Sequence, residues 1–141
     1  MHPVQTIAVF AENKLGQLAH ITETIASVGA NIRWITIATN EDLGVMKLLV
    51  DKTAAAFSAL QKSGFTVSLV EVLAIEVEDV PGGLSKVAQC LSAKGINIDN
   101  SSGYVSRNHA VLIIEVADIT AAQIALSGSG LQILSAVEMT Q

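Results

Sequence analysis

The chain is written twice. Asn13-Lys14-Leu15-Gly16-Gln17-Leu18 is followed by Gly29-Ala30-Asn31-Ile32, and Asp79-Val80-Pro81-Gly82-Gly83-Leu84 is followed by Gly95-Ile96-Asn97-Ile98, at a constant offset of 82 − 16 = 66. The same shift places Leu18 on Leu84, Ile21 on Val87, Ile25 on Leu91, Val45 on Val111, Val50 on Val116, Leu60 on Leu126 and Gly64 on Gly130 without a gap. Such a chain folds as two similar units, assigned here to residues 1–70 and 71–141, and not as one continuous design. Each is in the size range where a lone core is marginal, so each needs further surface to lean on.

Within each copy the apolar residues change period in the order β-α-β-β-α-β. Residues 5–10 read as a strand; Leu18, Ile21, Ile25 and Val28 then recur at helical spacing, and Gly29 suits the helix end. Residues 31–39 and 45–50 form a hairpin around Asn40-Glu41-Asp42-Leu43-Gly44. Thr53 can cap a short helix that points Phe57 and Leu60 inward, Gly64 closes it, and residues 65–70 are the last strand. The second copy follows with strands at 72–77, 97–105, 110–116 and 131–137 and helices at 83–94 and 119–127, its first helix burying Leu84, Val87, Ala88 and Leu91. No flexible linker separates the copies, which predicts a fixed junction at 67–75. Two helices on one face of a four-stranded antiparallel sheet is the ferredoxin-like arrangement, so the predicted class is α+β with two such repeats.

Composition narrows the function. Half the residues are hydrophobic, yet no apolar run approaches the roughly 20 residues of a membrane span, so the excess points to protein interfaces. Residues 1–5 do not read as the opening of a signal peptide, so the expected location is the cytoplasm. A net charge of 8 − 13 = −5 without a basic cluster argues against nucleic acid and anionic membrane as partners. One cysteine, Cys90, allows neither an internal disulfide nor a cysteine-based metal cage, and reads as a small buried hydrophobe. His2 near the terminus, His20 on a helix and His109 in a hairpin turn read as solvated surface residues, so no cofactor or metal is expected. No nucleophile stands in a recognisable local motif with a histidine, and no Walker-type or dinucleotide glycine pattern occurs.

The repeated turn carries the chemistry that remains. Pro81 fixes φ, Gly82 and Gly83 permit close approach, and a helix begins at once, so the amides of Gly82, Gly83 and Leu84 could receive a carboxylate at the positive helix end. The Asp79 carboxylate, or the Asn13 carbonyl in the first copy, could accept from an ammonium group. Together these are the requirements of a free amino acid. The same residues could equally do no more than shape a tight strand-to-helix connection, and Asn31 and Asn97 could simply satisfy backbone groups at a helix exit.

The pattern Asp79-x-Pro81-Gly82-x-Leu84 followed by Gly95-Ile96-Asn97-Ile98 resembles the ACT domain family, and its repetition makes the whole chain similar to a stand-alone tandem ACT protein. The resemblance implies ferredoxin-like regulatory modules that pair and bind amino acids at the interface between modules. It implies that the turn and the second-strand asparagine form one site, often from different modules. Carried onto this sequence, the implied ligand-binding residues are Asn13, Leu15, Gly16, Gln17, Leu18, Asn31 and Ile32 in the first copy. In the second they are Asp79, Val80, Pro81, Gly82, Gly83, Leu84, Asn97 and Ile98. The first copy departs from the pattern: Leu15 replaces proline, which predicts a less constrained turn, and Gln17 replaces the second glycine, narrowing the approach. Lys14 adds a positive charge beside Asn13. Trp34 aligns with Asn100 and Arg33 with Asp99, so the hairpin surfaces have diverged; Trp34 reads as interface packing or as a wall for a ligand side chain.

The expected function is a non-catalytic sensor that binds a free amino acid, forms a homodimer or higher homo-oligomer, and transmits occupancy through its contacts to an amino-acid metabolic enzyme. The alternatives are a structural interaction module whose turns bind nothing, and a small enzyme such as a mutase or phosphatase on the same fold.

Overall fold

The computed structural model describes residues 3–107 and 109–141; the expectation for His2 lies outside them. The chain divides into two compact units, Gln5–Val70 with Thr140–Gln141, and Glu71–Met139 with Pro3 and Val4.

The first unit contains β1 (Val4–Glu12), α1 (Gln17–Ser27), β2 (Ile32–Asn40), β3 (Leu43–Val50), α2 (Thr53–Lys62) and the start of β4 (Thr66–Glu78), with the strand order β2-β3-β1-β4. The antiparallel registers Ile7↔Leu48, Val9↔Met46 and Ile35↔Leu48 put alternate side chains on one face. There Ile7, Val9, Met46, Leu48 and Val50 meet Ile21 and Ile25 of α1 and Ala56 and Leu60 of α2 in one buried cluster. Apolar side chains on a period of two thus face side chains on a period of 3.6.

The second unit repeats this order with the rest of β4, α3 (Gly83–Ala93), β5 (Asn100–Ser106), β6 (His109–Glu115), α4 (Ile119–Leu126) and β7 (Gln132–Leu134), followed by α5 (Ala136–Thr140). Its strand order is β7-β4-β6-β5, antiparallel throughout. Leu73, Ile75, Val77 and Ile114 pack against Val87, Leu91, Ala122 and Leu126. The chain is therefore a ferredoxin-like βαββαβ design used twice.

Several expectations are corrected. Thr53 is the first residue of α2 and not its cap: Lys52 occupies the cap position without a side-chain bond, and the Thr53 hydroxyl turns back to the Val50 carbonyl at 3.4 Å. The strand expected at 131–137 ends at Leu134, because Ser135 and Glu138 form a reciprocal cap that starts α5. The Ser135 Oγ accepts from the Glu138 N–H at 3.2 Å, and Glu138 Oε1 accepts from the Ser135 N–H at 3.1 Å. Leu18 and Leu84, expected to face inward, are 41% and 54% exposed, and Ala88 is exposed as well.

The two asparagines differ in surroundings. The Asn31 N–H donates to Asp51 Oδ1 at 2.8 Å and its carbonyl accepts from the Asp51 N–H at 3.2 Å, so β2 starts immediately after it. The position matching Asp51 is Ala117, which has no carboxylate to clamp the chain. Residues 97–99 accordingly stay outside the sheet, β5 starts at Asn100, and the Asn97 side chain instead donates to Asp99 Oδ1 at 3.2 Å.

Candidate functional site

The first β-to-α turn of each unit is set by one glycine in the left-handed region. Gly16 has φ 85° and ψ −8°, and Gly82 has φ 86° and ψ −4°, a conformation that costs other residues roughly 1–2 kcal/mol. The hydrogen bonds also match. The N–H of Lys14 donates to the Glu12 carbonyl at 3.0 Å and that of Val80 to Glu78 at 2.9 Å; those of His20 and Lys86 reach Gly16 and Gly82 at 3.0 and 3.1 Å. The two turns share these bonds and the glycine conformation, although Leu15 stands where the second copy has Pro81.

One of the three amides expected to be free is not. The Gly83 N–H donates to the Val80 carbonyl at 3.0 Å, as that of Gln17 does to Lys14 at 3.2 Å. Among the described residues the N–H groups of Gly82, Leu84 and Ser85 have no such partner, the general condition of a helix start. Neither Gly82 nor Gly16 adds a side-chain cap. Gly83 has a different duty: a Cβ built there would lie 2.4 Å from the Glu78 carbonyl oxygen, so in this copy the strand end approaches closer than a side chain would allow.

Asp79 is exposed, and no hydrogen bond or ion pair holds its carboxylate among the described residues. Asn13 is held by its donors: its N–H donates to the Asp42 carbonyl at 2.7 Å and its Nδ2 to that of Glu41 at 3.3 Å, tying the first turn to the β2–β3 hairpin. Lys14 faces Glu12 Oε2 at 3.7 Å, with both side chains well exposed. The two turns thus share a backbone and differ in available chemistry, with the carboxylate accessible only in the second.

Two depressions flank the 79–84 turn within its unit. A cleft of about 280 Å³ lies between the turn, the end of β4 and the loop before β7, with Lys86 and Gly130 on its walls. A groove of about 450 Å³ runs from Leu84 along β5 and β6. Lys86 was not singled out by sequence. Its position one helical turn inside α3 was the available signal, since residues in a first turn reach back over the helix start. Val80 is 53% exposed and Leu15 fully so; Ile32 and Ile98 are half-buried at the first core and the second core respectively.

His20 and His109 are surface residues, as expected, each with one close neighbour. His20 lies against the Phe65 ring, with centroids 4.9 Å apart, and His109 opens β6 with its Nδ1 2.9 Å from Glu76 Oε1. Cys90 is half-buried and its thiol donates to the Ala125 carbonyl at 3.1 Å. Among the described residues, no three of His, Cys, Asp and Glu converge as metal ligands, and no helix is long and apolar enough to cross a membrane.

Comparison with known proteins places this geometry in a family. The family described as an ACT domain pair matches residues 2–139. Protein BT0572 from Bacteroides thetaiotaomicron is similar in structure with a TM-score of 0.95 and 28% identity, over 99% of this chain and 97% of that one. The ligand-free regulatory subunit of aspartate kinase from Thermus thermophilus gives a TM-score of 0.68 at 19% identity, over 92% and 94% of the two chains. That from Thermus flavus gives 0.62 at 16% identity, with the same coverage of 92% and 94%. No curated protein sequence matches significantly. The match spans nearly the whole sequence and the βαββαβ unit occurs twice, so the chain belongs to the ACT domain family as an ACT domain pair.

Proposed function

We propose that this ACT domain pair is a non-catalytic regulatory protein that binds a free amino acid at the 79–84 turn. The carrying observation is the turn's unspent polarity. An exposed Asp79 carboxylate without a partner stands beside the unpartnered amides of Gly82, Leu84 and Ser85, at the positive end of an eleven-residue helix. A ligand with an ammonium and a carboxylate about one carbon apart meets both needs. Asn97 or Asn31 completes the site from a neighbouring module, and the chain acts in the cytoplasm as a homo-oligomer.

Binding to one arrangement of modules better than to another would shift their populations, which is sufficient for signalling. The aspartate kinase regulatory subunits that share this fold offer a pattern for the partner: a separate enzyme of amino-acid metabolism whose activity follows ligand occupancy.

A thermal-shift screen of the standard amino acids, followed by calorimetry, tests the reading. At ligand concentrations near 100 times Kd the stability gain is about 2.7 kcal/mol, several degrees for a chain of this size. No shift and no heat with any amino acid would leave a structural module, and turnover by the purified protein would restore an enzyme.

A further inference from the structure

Within the second unit, β4 and β7 part just before the 79–84 turn. Their last pair is Glu76 with Gln132. The same register would set Leu131 against Val77 and Gly130 against Glu78, but Gly130, at φ 84°, turns the incoming chain aside before those pairs form. The gap is the cleft of about 280 Å³, bordered on one side by the turn. Pockets for drug-sized molecules run to roughly 300–1,000 Å³, so this one suits a smaller metabolite.

One cation reaches over the cleft. Lys86 projects from α3, and its Nζ lies 3.8 Å from the place a Cβ of Gly130 would occupy, so the side chain spans from helix to loop. No hydrogen bond or ion pair holds that ammonium among the described residues. The two glutamates at the end of β4 do not neutralise it. Val77 packs into the core with Val87 and Leu91 of α3, so alternation sends the Glu76 and Glu78 side chains to the opposite face of the sheet. There Glu76 Oε1 lies 2.9 Å from His109 Nδ1.

The first copy uses the same positions differently. His20 stands where the second copy has Lys86, and Phe65 where it has Leu131. Their rings meet with centroids 4.9 Å apart. A contact between rings in one unit is thus a charged gap in the other, at matching places on the same fold.

We propose that this cleft receives the side chain of the bound amino acid and that the side chain is acidic, making the ligand aspartate or glutamate. The inference rests on the proposed amino-acid site at the 79–84 turn and adds the chemical class that fills it. With the ligand ammonium at Asp79, a second carboxylate a few bonds away meets Lys86 as a charge-assisted partner. An amide in its place accepts a hydrogen bond but leaves the ammonium charge unmatched. An apolar side chain displaces water from the ammonium without replacing it, and a basic one is repelled. Lys86 is exposed, so solvent limits the discrimination to several-fold and not thousands.

The test titrates the full chain with L-aspartate, L-glutamate, L-asparagine and L-glutamine by calorimetry. At least one acid should bind about fivefold or more tightly than its own amide. Lys86→Gln should weaken the acid and not the amide, bringing the ratio close to one. A Lys86→His, Leu131→Phe double variant, which installs the ring pair of the first copy, should lose acid binding while its unfolding midpoint is retained. An amide bound as tightly as its acid, or a preference that survives Lys86→Gln, would overturn the proposal. Tighter binding of a neutral or basic amino acid by the same turn, abolished by Asp79→Ala, would overturn it and leave the amino-acid reading standing. No binding of any amino acid would remove both.

Discussion

Gly83 donates its N–H to the Val80 carbonyl across 3.0 Å, and the place its missing Cβ would occupy lies 2.4 Å from the Glu78 carbonyl oxygen. The residue is therefore first a closure of the turn. Gly83→Val is expected to cost about 1–3 kcal/mol of stability through overpacking, whatever it does to binding. Gly83→Gln should cost less, because Gln17 occupies the same position in the first copy on the same hydrogen-bond pattern. Urea midpoints of the two variants check the order; equal losses would show that the Cβ common to both, and not the branching of valine, sets the cost.

Asp79 is the cleaner probe of recognition. Its carboxylate has no partner among the described residues, so Asp79→Ala should leave the unfolding midpoint nearly unchanged. Amino-acid affinity should fall by about 1.5–3 kcal/mol, roughly ten- to a hundredfold. Calorimetry on the folded variant reads this directly, and unchanged affinity would move the ammonium site elsewhere.

The asparagines separate the two turns. Asn31→Ala keeps both backbone bonds to Asp51, and Asn97→Ala removes one exposed contact to Asp99, so both should stay within about 0.5 kcal/mol of the parent stability. If only the 79–84 turn is competent, affinity falls in the variant whose side chain reaches it and not in the other. Titrating both with the same amino acid decides; equal effects would count against a single competent turn.

Ser135 and Glu138 cap α5 reciprocally. Ser135→Ala should weaken the last helix by about 1 kcal/mol, raising local hydrogen exchange at Glu138 and Met139 roughly fivefold. A double variant with Glu138→Ala should lose little more, since either change breaks the same unit. Additive losses would mean that the two bonds act independently.

Much of this was legible in the sequence. The repeat and the alternating periods located both cores, since Ile21, Ile25, Val87 and Leu91 are buried where the helical spacing puts them. Glycine at 16 and 82 announced the left-handed turns. What escaped notice depends on partners distant along the chain. Asp51 clamps Asn31 from 20 residues away, and the meeting of Glu76 with His109 follows from strand register. The serine–glutamate cap at 135–138 was visible as a motif but lay at the end of an apolar run that reads as strand. The exposure of Leu18 and Leu84 could not be read from periodicity, which assigns a face to a helix without saying how far the sheet beneath it extends.

The coincidence of the Gly16 and Gly82 conformations, φ 85° against 86°, makes the two turns interchangeable parts. The backbone is held in common while the side chains differ, so the proposed ligand site can reside in one copy alone. Writing the 79–84 hexapeptide in place of residues 13–18 is then a graft that needs no loop redesign. It trades the tether from Asn13 to the hairpin for a free carboxylate, and a second equivalent of bound amino acid in calorimetry would mark the grafted turn as a receptor.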